Sequence, residues 1–357
     1  MASGDPHYKT FDGAMIHFMG TCHYVLARSQ PGSGGDNCDF EVTVKNERRN
    51  GKTRVSYTKR VNIRMFGMEI SLLKKRRLMI NKMRHYTPLT VEGRFEVVKN
   101  SRAITFISKC GVEVTFRDDH MVQVSAPNSF AGKMTGICGT CNGNARDDYR
   151  LADGTDVTKA NQRDSRIGQS YVANMLRPDL PKRCKSKVLP PPPKCSKANR
   201  KKAEAACGIM VQRGGPFGAC LKARGEQARE LYDSCVQDFC AFVADPKESG
   251  ALLCDALTAL AEECWENGVE VLWRSETLCP PSCPANSHYS DIVPACPPSC
   301  ARPDPSGPCS TDTQEGCLCD EGFLLNDDQC VPADQCGCVD PKTGNYYPVN
   351  WNDVPVT

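Results

Sequence analysis

Cysteine is the residue that most constrains this chain, because 23 of its 357 residues are cysteines. A chain this rich in cysteine is either an extracellular protein held by disulfides or a cysteine-rich metal protein. Zinc sites need paired C-x-x-C and H-x-x-x-H sets. The six histidines form no such set, and the single C-x-x-C, Cys138 to Cys141, has no companion. The sequence therefore predicts disulfides, an oxidising compartment and a secreted protein.

The two ends of the chain indicate a piece of a longer secreted protein. No signal peptide follows Met1, and no stretch reaches the roughly 18–20 apolar residues that span a bilayer. Residues 337–357 begin another cysteine-containing module. We therefore expect a secreted protein whose signal peptide lies outside this segment, with no membrane span inside it.

Residues 1–182 have the pattern of an all-β antiparallel sandwich. Six segments alternate or are rich in β-branched and aromatic residues, and turn signals such as Pro31-Gly32 and Glu92-Gly93 separate them. Short strands at this spacing are typical of antiparallel sandwiches. The predicted strands are 40–44, 61–65, 95–98, 103–107, 112–116 and 121–124.

The pattern changes after a run of four prolines at 190–193, which favours a stiff, extended linker over residues 183–194. Residues 195–279 then carry eight cysteines and the periodicity of helices. The predicted helices are 219–243 and 248–267, with Ser249 as N-cap and Gly268 after the last turn.

Residues 280–336 are rich in proline, glycine and cysteine and have little periodicity. A segment of this size cannot hold itself together with an apolar core and must rely on disulfides. We therefore predict a second small, disulfide-rich module with little regular structure.

Two motifs identify the first module. The chain opens with Gly4-Asp5-Pro6-His7-Tyr8 and Thr10-Phe11-Asp12-Gly13, and residues 138–148 read Cys-Gly-Thr-Cys-Asn-Gly-Asn-Ala-Arg-Asp-Asp. The pair resembles the von Willebrand factor type D module of extracellular multidomain proteins. Residues 195–279 resemble the eight-cysteine module that follows type D modules, and 280–336 resemble a trypsin-inhibitor-like module.

The resemblance implies a set of disulfides. The trypsin-inhibitor-like family has ten cysteines where this chain has eight, and the missing two align near Val293 and Gln314, so one whole bridge is absent. Thr135 stands where type D modules have a cysteine. The pairing of the eight-cysteine module stays open, as does that of Cys38, Cys110, Cys138 and Cys141. The implied bridges are Cys22–Cys184, Cys283–Cys317, Cys296–Cys309, Cys300–Cys336 and Cys319–Cys330.

The run from Asn142 to Asp148 is rich in oxygen ligands of the kind that Ca²⁺ prefers. It lacks the spacing and the closing glutamate of an EF-hand. The resemblance implies a calcium site that joins this run to the opening motif, although Thr140 stands where the family often has asparagine. The implied ligands are the side chains of Asp12, Asn142, Asp147 and Asp148 and the backbone carbonyl of Asn144. The alternative is a plain polar turn.

The Asp5-Pro6 bond is a candidate for self-cleavage. The Asp5 carboxyl can attack its own peptide carbonyl, and the tertiary amide nitrogen of Pro6 is easily expelled, which leaves an aspartyl anhydride. His7, titrating near pH 6.5, is a candidate to assist the proton transfer. The resemblance implies cleavage at this tetrapeptide in some type D modules, whereas many Asp-Pro bonds persist.

Positive charge is concentrated in residues 45–85, which contain 14 lysines and arginines against two glutamates. Such a region attracts sulfated glycans or acidic mucins. The candidate glycan-binding residues are Lys74, Lys75, Arg76 and Arg77, and the alternative is the solvated face of a sheet. Nucleic acid is not expected as a partner in an oxidising compartment.

We interpret the chain as a calcium-stabilised structural and adhesive module of a secreted matrix, mucus or cell-adhesion protein. The expected partners are other matrix or mucus proteins, including further copies of itself. No Ser/His/Asp or Cys/His set indicates an enzyme. The alternative function is serine protease inhibition through residues 283–336.

Overall fold

A computed structural model of the chain describes residues 2–3, 7–35, 37–48, 56–100, 102–117, 120–173, 184, 195–294, 297–304 and 313–349. The first module consists of antiparallel strands and one short helix, α1 (Arg163–Ser170). In chain order the strands are β1 (Ala2–Ser3), β2 (His7–Lys9), β3 (Met15–His17), β4 (His23–Ser29), β5 (Phe40–Arg48), β6 (Ser56–Met65), β7 (Met68–Leu73), β8 (Arg77–Ile80), β9 (Met83–His85), β10 (Leu89–Val91), β11 (Phe95–Lys99), β12 (Ala103–Ser108), β13 (Glu113–Arg117), β14 (Met121–Ser125) and β15 (Met134–Thr135).

These strands form two sheets that share one core. The first sheet has the order β10-β11-β12-β13-β14-β1-β2-β3, and the second has the order β15-β4-β5-β6-β7-β8-β9. Every predicted strand overlaps an observed one, because alternating apolar residues bury one face of each strand. The predicted antiparallel sheet architecture of the first module is confirmed.

Three aromatic rings join the two sheets near the opening motif. Tyr8 on β2 stacks on Phe18 with ring centroids 4.8 Å apart, and Phe18 meets Tyr24 on β4 edge-on at 5.0 Å. All three side chains are fully buried. The Tyr8 hydroxyl accepts a hydrogen bond of 2.7 Å from Asn46 Nδ2, so its polar end is satisfied inside the core.

The second module is helical, with α2 (Lys197–Cys207), α3 (Gly218–Ala241) and α4 (Pro246–Glu266). The prediction of Ser249 as N-cap was wrong. Asp245 is the cap and accepts a hydrogen bond from Glu248 N–H, and Pro246 opens the helix, because proline has no N–H to leave unsatisfied there. Gly268 lies just past the helix with φ of +75°, as predicted. The disulfides are Cys195–Cys240, Cys207–Cys235, Cys220–Cys264 and Cys254–Cys279.

The third module has only short hairpins. Its strands are β16 (Ser287–Pro294), β17 (Thr313–Cys319), β18 (Phe323–Asn326) and β19 (Gln329–Pro332), followed by β20 (Cys338–Val339) and β21 (Tyr346–Tyr347). The pairs are β16 with β17, β18 with β19, and β20 with β21. Its described disulfides are Cys283–Cys317, Cys300–Cys336 and Cys319–Cys330.

Candidate functional site

The opening and closing motifs of the first module lie against each other. Asp12 is in the turn between β2 and β3, and its two carboxylate oxygens accept hydrogen bonds from Asn142 N–H at 3.0 Å and Gly143 N–H at 2.9 Å. Phe11 N–H donates to the Cys138 carbonyl at 2.9 Å. The turn and the loop that follows β15 are therefore joined by their backbones.

Three carboxylates meet at this junction. Ligand oxygens of Asp12, Asp147 and Asp148 all lie within 4.8 Å of one another. Asp148 is only 4% exposed, and burial raises its pKa to about 6, with the charges of Asp12 and Asp147 adding to the effect. Like charges held together out of water are costly unless a proton or a cation compensates them.

Several oxygen atoms at the junction have no hydrogen-bond partner among the described residues. They are Asp147 Oδ1, Asp148 Oδ2 and the Thr140 hydroxyl, all buried. Buried polar atoms are normally satisfied, so these atoms leave room for a ligand of opposite charge. Hard oxygen donors that carry three negative charges suit Ca²⁺, and the residues present therefore fit this ion.

The two predicted asparagine ligands are used differently. Asn142 Oδ1 accepts a hydrogen bond from Asn144 N–H at 2.9 Å, and Asn142 Nδ2 donates to Asp147 Oδ2 at 2.8 Å. The Asn144 carbonyl accepts from Asp147 N–H at 3.2 Å. Both asparagines therefore stabilise the conformation of the loop. Of the five predicted ligands, the structure brings the three aspartates together. Sequence reasoning noted Thr140 only as a departure from the asparagine of the family, and it missed that the Thr140 hydroxyl lies without a hydrogen-bond partner beside the three aspartates.

The four cysteines of the first module whose pairing the sequence left open divide into a bridge and two thiols. Cys38 bonds to Cys110, whereas Cys138 and Cys141 form no disulfide within the described part of the chain. Burial raises the pKa of both thiols, and the Asp12 and Asp148 carboxylates raise that of Cys141 further. Protonated thiols are poor nucleophiles, which agrees with a structural rather than a redox role.

His7 is buried where the first module meets the second. Its ring is 2% exposed, its Nε2 lies 3.0 Å from both carboxylate oxygens of Asp238 on α3, and its Nδ1 is within hydrogen-bond distance of His17 Nδ1. Burial lowers the pKa of His7 to about 4. The contact of His7 with Asp238 holds the first module against the second, and burial disfavours the charged imidazolium that a proton transfer near pH 6.5 would use. Asp5 and Pro6 lie outside the described residues.

The four predicted glycan-binding residues, Lys74 to Arg77, make contacts with different parts of the molecule. Lys74 Nζ donates to Glu47 at 3.1 Å and to the Tyr57 hydroxyl at 2.8 Å, and exposed Arg77 bonds to the Lys74 carbonyl. Lys75 and Arg76 instead face the third module, at Asp328 and Asp327. The four predicted glycan-binding residues therefore do not form one uniform patch.

The hairpin turn of β18 and β19 docks the third module on the first. The Asp327 carboxylate accepts hydrogen bonds from Lys99 Nζ at 2.7 Å and from Arg84 Nη2 at 3.1 Å. Lys99 is nearly buried, with 11% of its side chain exposed. This contact could not be predicted from sequence periodicity, because the residues on both sides are charged and would be expected to face solvent in each module taken alone.

The third module has the disulfides that the family resemblance implies wherever the structure describes them. Three of its four implied bridges are present, and Cys22–Cys184 is present in the first module. Cys296 and Cys309 lie outside the described residues. The two positions of the missing bridge, Val293 and Gln314, are direct partners in the ladder of β16 and β17. No helix of the described chain is long and apolar enough to cross a bilayer.

Three family models match the chain in order. Residues 1–155 match the von Willebrand factor type D domain, residues 206–280 the C8 domain, and residues 283–336 the trypsin inhibitor like cysteine rich domain. The homologues of the chain are adhesion and structural proteins rather than enzymes, which agrees with the prediction that the chain is not an enzyme.

Individual relatives match nearly the whole chain. Mouse zonadhesin is 33% identical over 97% of it, and the human IgGFc-binding protein is 35% identical over 97%. Mouse alpha-tectorin is 32% identical over 96%. The chain spans 6% of the length of the first two relatives and 16% of the third. The chain therefore belongs to the family of proteins in which a von Willebrand factor type D domain is followed by a C8 domain and a trypsin-inhibitor-like domain.

Proposed function

We propose that the chain is a calcium-stabilised structural and adhesive module of a secreted matrix, mucus or cell-adhesion protein. The observation that carries the proposal is the meeting of Asp12, Asp147 and Asp148 with buried oxygens that lack hydrogen-bond partners. Bound Ca²⁺ would supply positive charge at this point. The residues of the chain supply the rest: Asp12 fixes the loop backbone, and Asp148 anchors the loop by accepting from Thr140 N–H.

The consequence is mechanical. The two segments that the junction joins are far apart in the sequence, and each continues into a different sheet of the first module. Compensating the three charges removes a repulsion that otherwise pushes the segments apart. We infer that calcium stabilises the surface where the two sheets meet, so that the module presents one fixed face to other matrix proteins or to further copies of itself.

Calorimetry with CaCl₂ tests the proposal. The Asp147→Asn variant should bind calcium at least about tenfold more weakly, because a half-buried carboxylate contributes more than one kcal/mol to cation binding. Asp153→Asn is the matched control, since Asp153 lies exposed a few residues downstream and its carboxylate bonds to Thr155 N–H. Absence of calcium binding, or equal affinity in all three proteins, would refute the calcium site.

We also propose slow scission at Asp5-Pro6, which rests on the chemistry of the Asp-Pro bond alone, since burial of His7 disfavours its charged form. Protonation of the leaving nitrogen makes cleavage faster near pH 6 than near pH 8. Intact-mass measurement after several days at each pH should find a product that begins at Pro6. Asp5→Ala removes the attacking carboxyl, and an equal yield from that variant would contradict self-cleavage.

A further inference from the structure

A cleft of about 490 Å³ opens where the three modules meet. The first module contributes Arg102, just before β12, and the turn between β7 and β8. The second contributes Arg274, which follows α4, and the third contributes β17 with Glu315. The volume is in the range of small-ligand sites, which is about 300–1,000 Å³.

The cleft carries an excess of positive charge. Its described lining includes four cationic side chains and two carboxylates: Lys75, Arg76, Arg102, Arg274, Glu315 and Asp328. Arg274 Nε lies 2.9 Å from one oxygen of Glu315, and Arg102 Nη1 lies 3.8 Å from the other. The closer partner of Arg102 is Glu262, at 2.8 Å from Nη2. Glu262 also pairs with Arg117 at 3.1 Å, so three guanidinium groups meet two carboxylates here and one positive charge is left in excess.

Further cations lie just behind the cleft wall. Arg84 and Lys99 share the single carboxylate of Asp327. The pKa of Lys99 is lowered, mainly by burial; Asp327 opposes this shift, and the charges of Arg76 and Arg84 add to it to a smaller extent. Positive charges at this junction therefore repel one another, and a bound anion would relieve the repulsion.

The rim of the cleft is apolar and poor in hydrogen-bond donors. Pro280, Pro281 and Pro284 line it, together with the ring of Tyr289, whose hydroxyl donates to Glu315 at 2.7 Å. Proline has no backbone N–H, so this rim cannot extend a sheet with an acidic peptide. Flat apolar faces beside guanidinium groups suit a sugar ring that carries an anionic substituent.

We propose that this cleft binds a sulfated saccharide unit of an anionic glycan, with Arg102 and Arg274 as recognition residues in addition to Lys75 and Arg76. The inference does not depend on the calcium site, which belongs to a different part of the first module. It places a saccharide subsite at the junction of all three modules, so that binding requires the assembled chain.

A charge-insertion variant tests the proposal without disturbing the buried ion pairs. Ser282 is exposed on the cleft lining. Ser282→Asp should weaken binding of a fully sulfated heparin disaccharide by about tenfold in calorimetry at low salt, since a negative charge now faces the ligand. Ser282→Asn is the neutral control of similar size and should bind within about twofold of the parent chain.

Three comparisons complete the experiment. The desulfated disaccharide should not bind, and Arg77→Gln, which removes a neighbouring cation that does not line the cleft, should leave the affinity unchanged. Equal affinities of Ser282→Asp and Ser282→Asn, loss of binding in Arg77→Gln, or no binding of the sulfated disaccharide would overturn the proposal. Equal affinity for a Glu-rich hexapeptide would overturn the assignment to a saccharide.

Discussion

The type D domain and the trypsin-inhibitor-like domain hold their folds by different means. In the first, 38 buried apolar residues from both sheets and the closing segment form one core. In residues 283–336, the described buried apolar residues are Val293, Cys300 and Cys330, and two of these three are in disulfides. Burial of apolar surface stabilises the former, while cross-links restrict the unfolded state of the latter.

The comparison shows that the trypsin-inhibitor-like domain depends on its own disulfides and on ion pairs with the type D domain. Its three described bridges stand in for a core, and its Asp327 turn is fixed by two cations of the type D domain. A domain of this kind has little internal free energy to spare. Changes that are mild in the type D domain should therefore be severe in the small one.

Removal of one disulfide should have the largest effect. Cys300→Ser/Cys336→Ser opens a loop with a sequence separation of 36 and should cost about 3–4 kcal/mol, enough to unfold the trypsin-inhibitor-like domain. Cys38→Ser/Cys110→Ser is the matched control, because the type D core remains in place. Limited proteolysis with mass analysis should cut the first variant within 283–336 and leave the second intact there. Equal resistance of residues 283–336 to proteolysis in the two variants would contradict the proposed difference between the two domains.

Acid should weaken the type D domain at its contact with the C8 domain. Burial lowers the pKa of both His7 and His17 to about 4, below the value near 6.5 of the unfolded chain. Their contribution to stability is therefore complete above pH 6.5 and is lost as the pH falls toward 4. Protonation of His7 at Nδ1 would also set its N–H against His17, although Asp238 partly offsets the cost.

Urea unfolding at pH 7 and pH 5 measures this effect. We expect a loss on the order of 3 kcal/mol between these two pH values, because each histidine contributes about 2 kcal/mol and Asp238 offsets a part, and we expect a smaller loss in His17→Gln. That variant keeps the other charged residues that act on the ring of His17, which are Asp164, Asp233 and Arg163. His288→Gln, in the trypsin-inhibitor-like domain, is the control. A pH dependence that is identical in both variants would assign the acid sensitivity elsewhere.

Loss of the docking carboxylate should be the next largest effect. Asp327→Asn leaves Lys99 and Arg84 without their shared counter-charge and should lower the free energy of unfolding by about 2 kcal/mol, discounted because Asp327 is one-third exposed. Asp328→Asn removes only an exposed pair with Lys75 and should cost less than about 0.5 kcal/mol. Thermal unfolding of both variants checks the difference, which equal costs would contradict.

Restoring the missing bridge should have the smallest effect. Val293→Cys/Gln314→Cys places two cysteines on directly paired ladder positions, and the new disulfide should add about 1 kcal/mol after the loss of buried Val293. Intact mass after thiol alkylation reports the bond. A trypsin inhibition assay on the same variant tests the alternative function, since a domain that acts as a spacer stays inactive whether or not the bridge is present.

Much of the architecture was predictable from local sequence. Alternation located the strands of the type D domain, and three- and four-residue spacing located α3 and α4, because these periods reflect which face of an element is buried. The N-cap of α4 was misplaced at Ser249, because the prediction did not use Pro246, which opens the helix directly after its true cap, Asp245. Family resemblance, rather than periodicity, implied the cysteine pairs.

The sequence by itself determined the order of domains, the dependence on disulfides and the acidic residues of the candidate calcium site. Only the tertiary structure decided how charges meet between domains. It buried His7 against Asp238, placed Lys75 and Arg76 at the cleft, and gave Asp327 to Arg84 and Lys99. The physical reason is that periodicity reports burial within one element, whereas a pKa or an ion pair depends on residues that folding brings from distant parts of the chain.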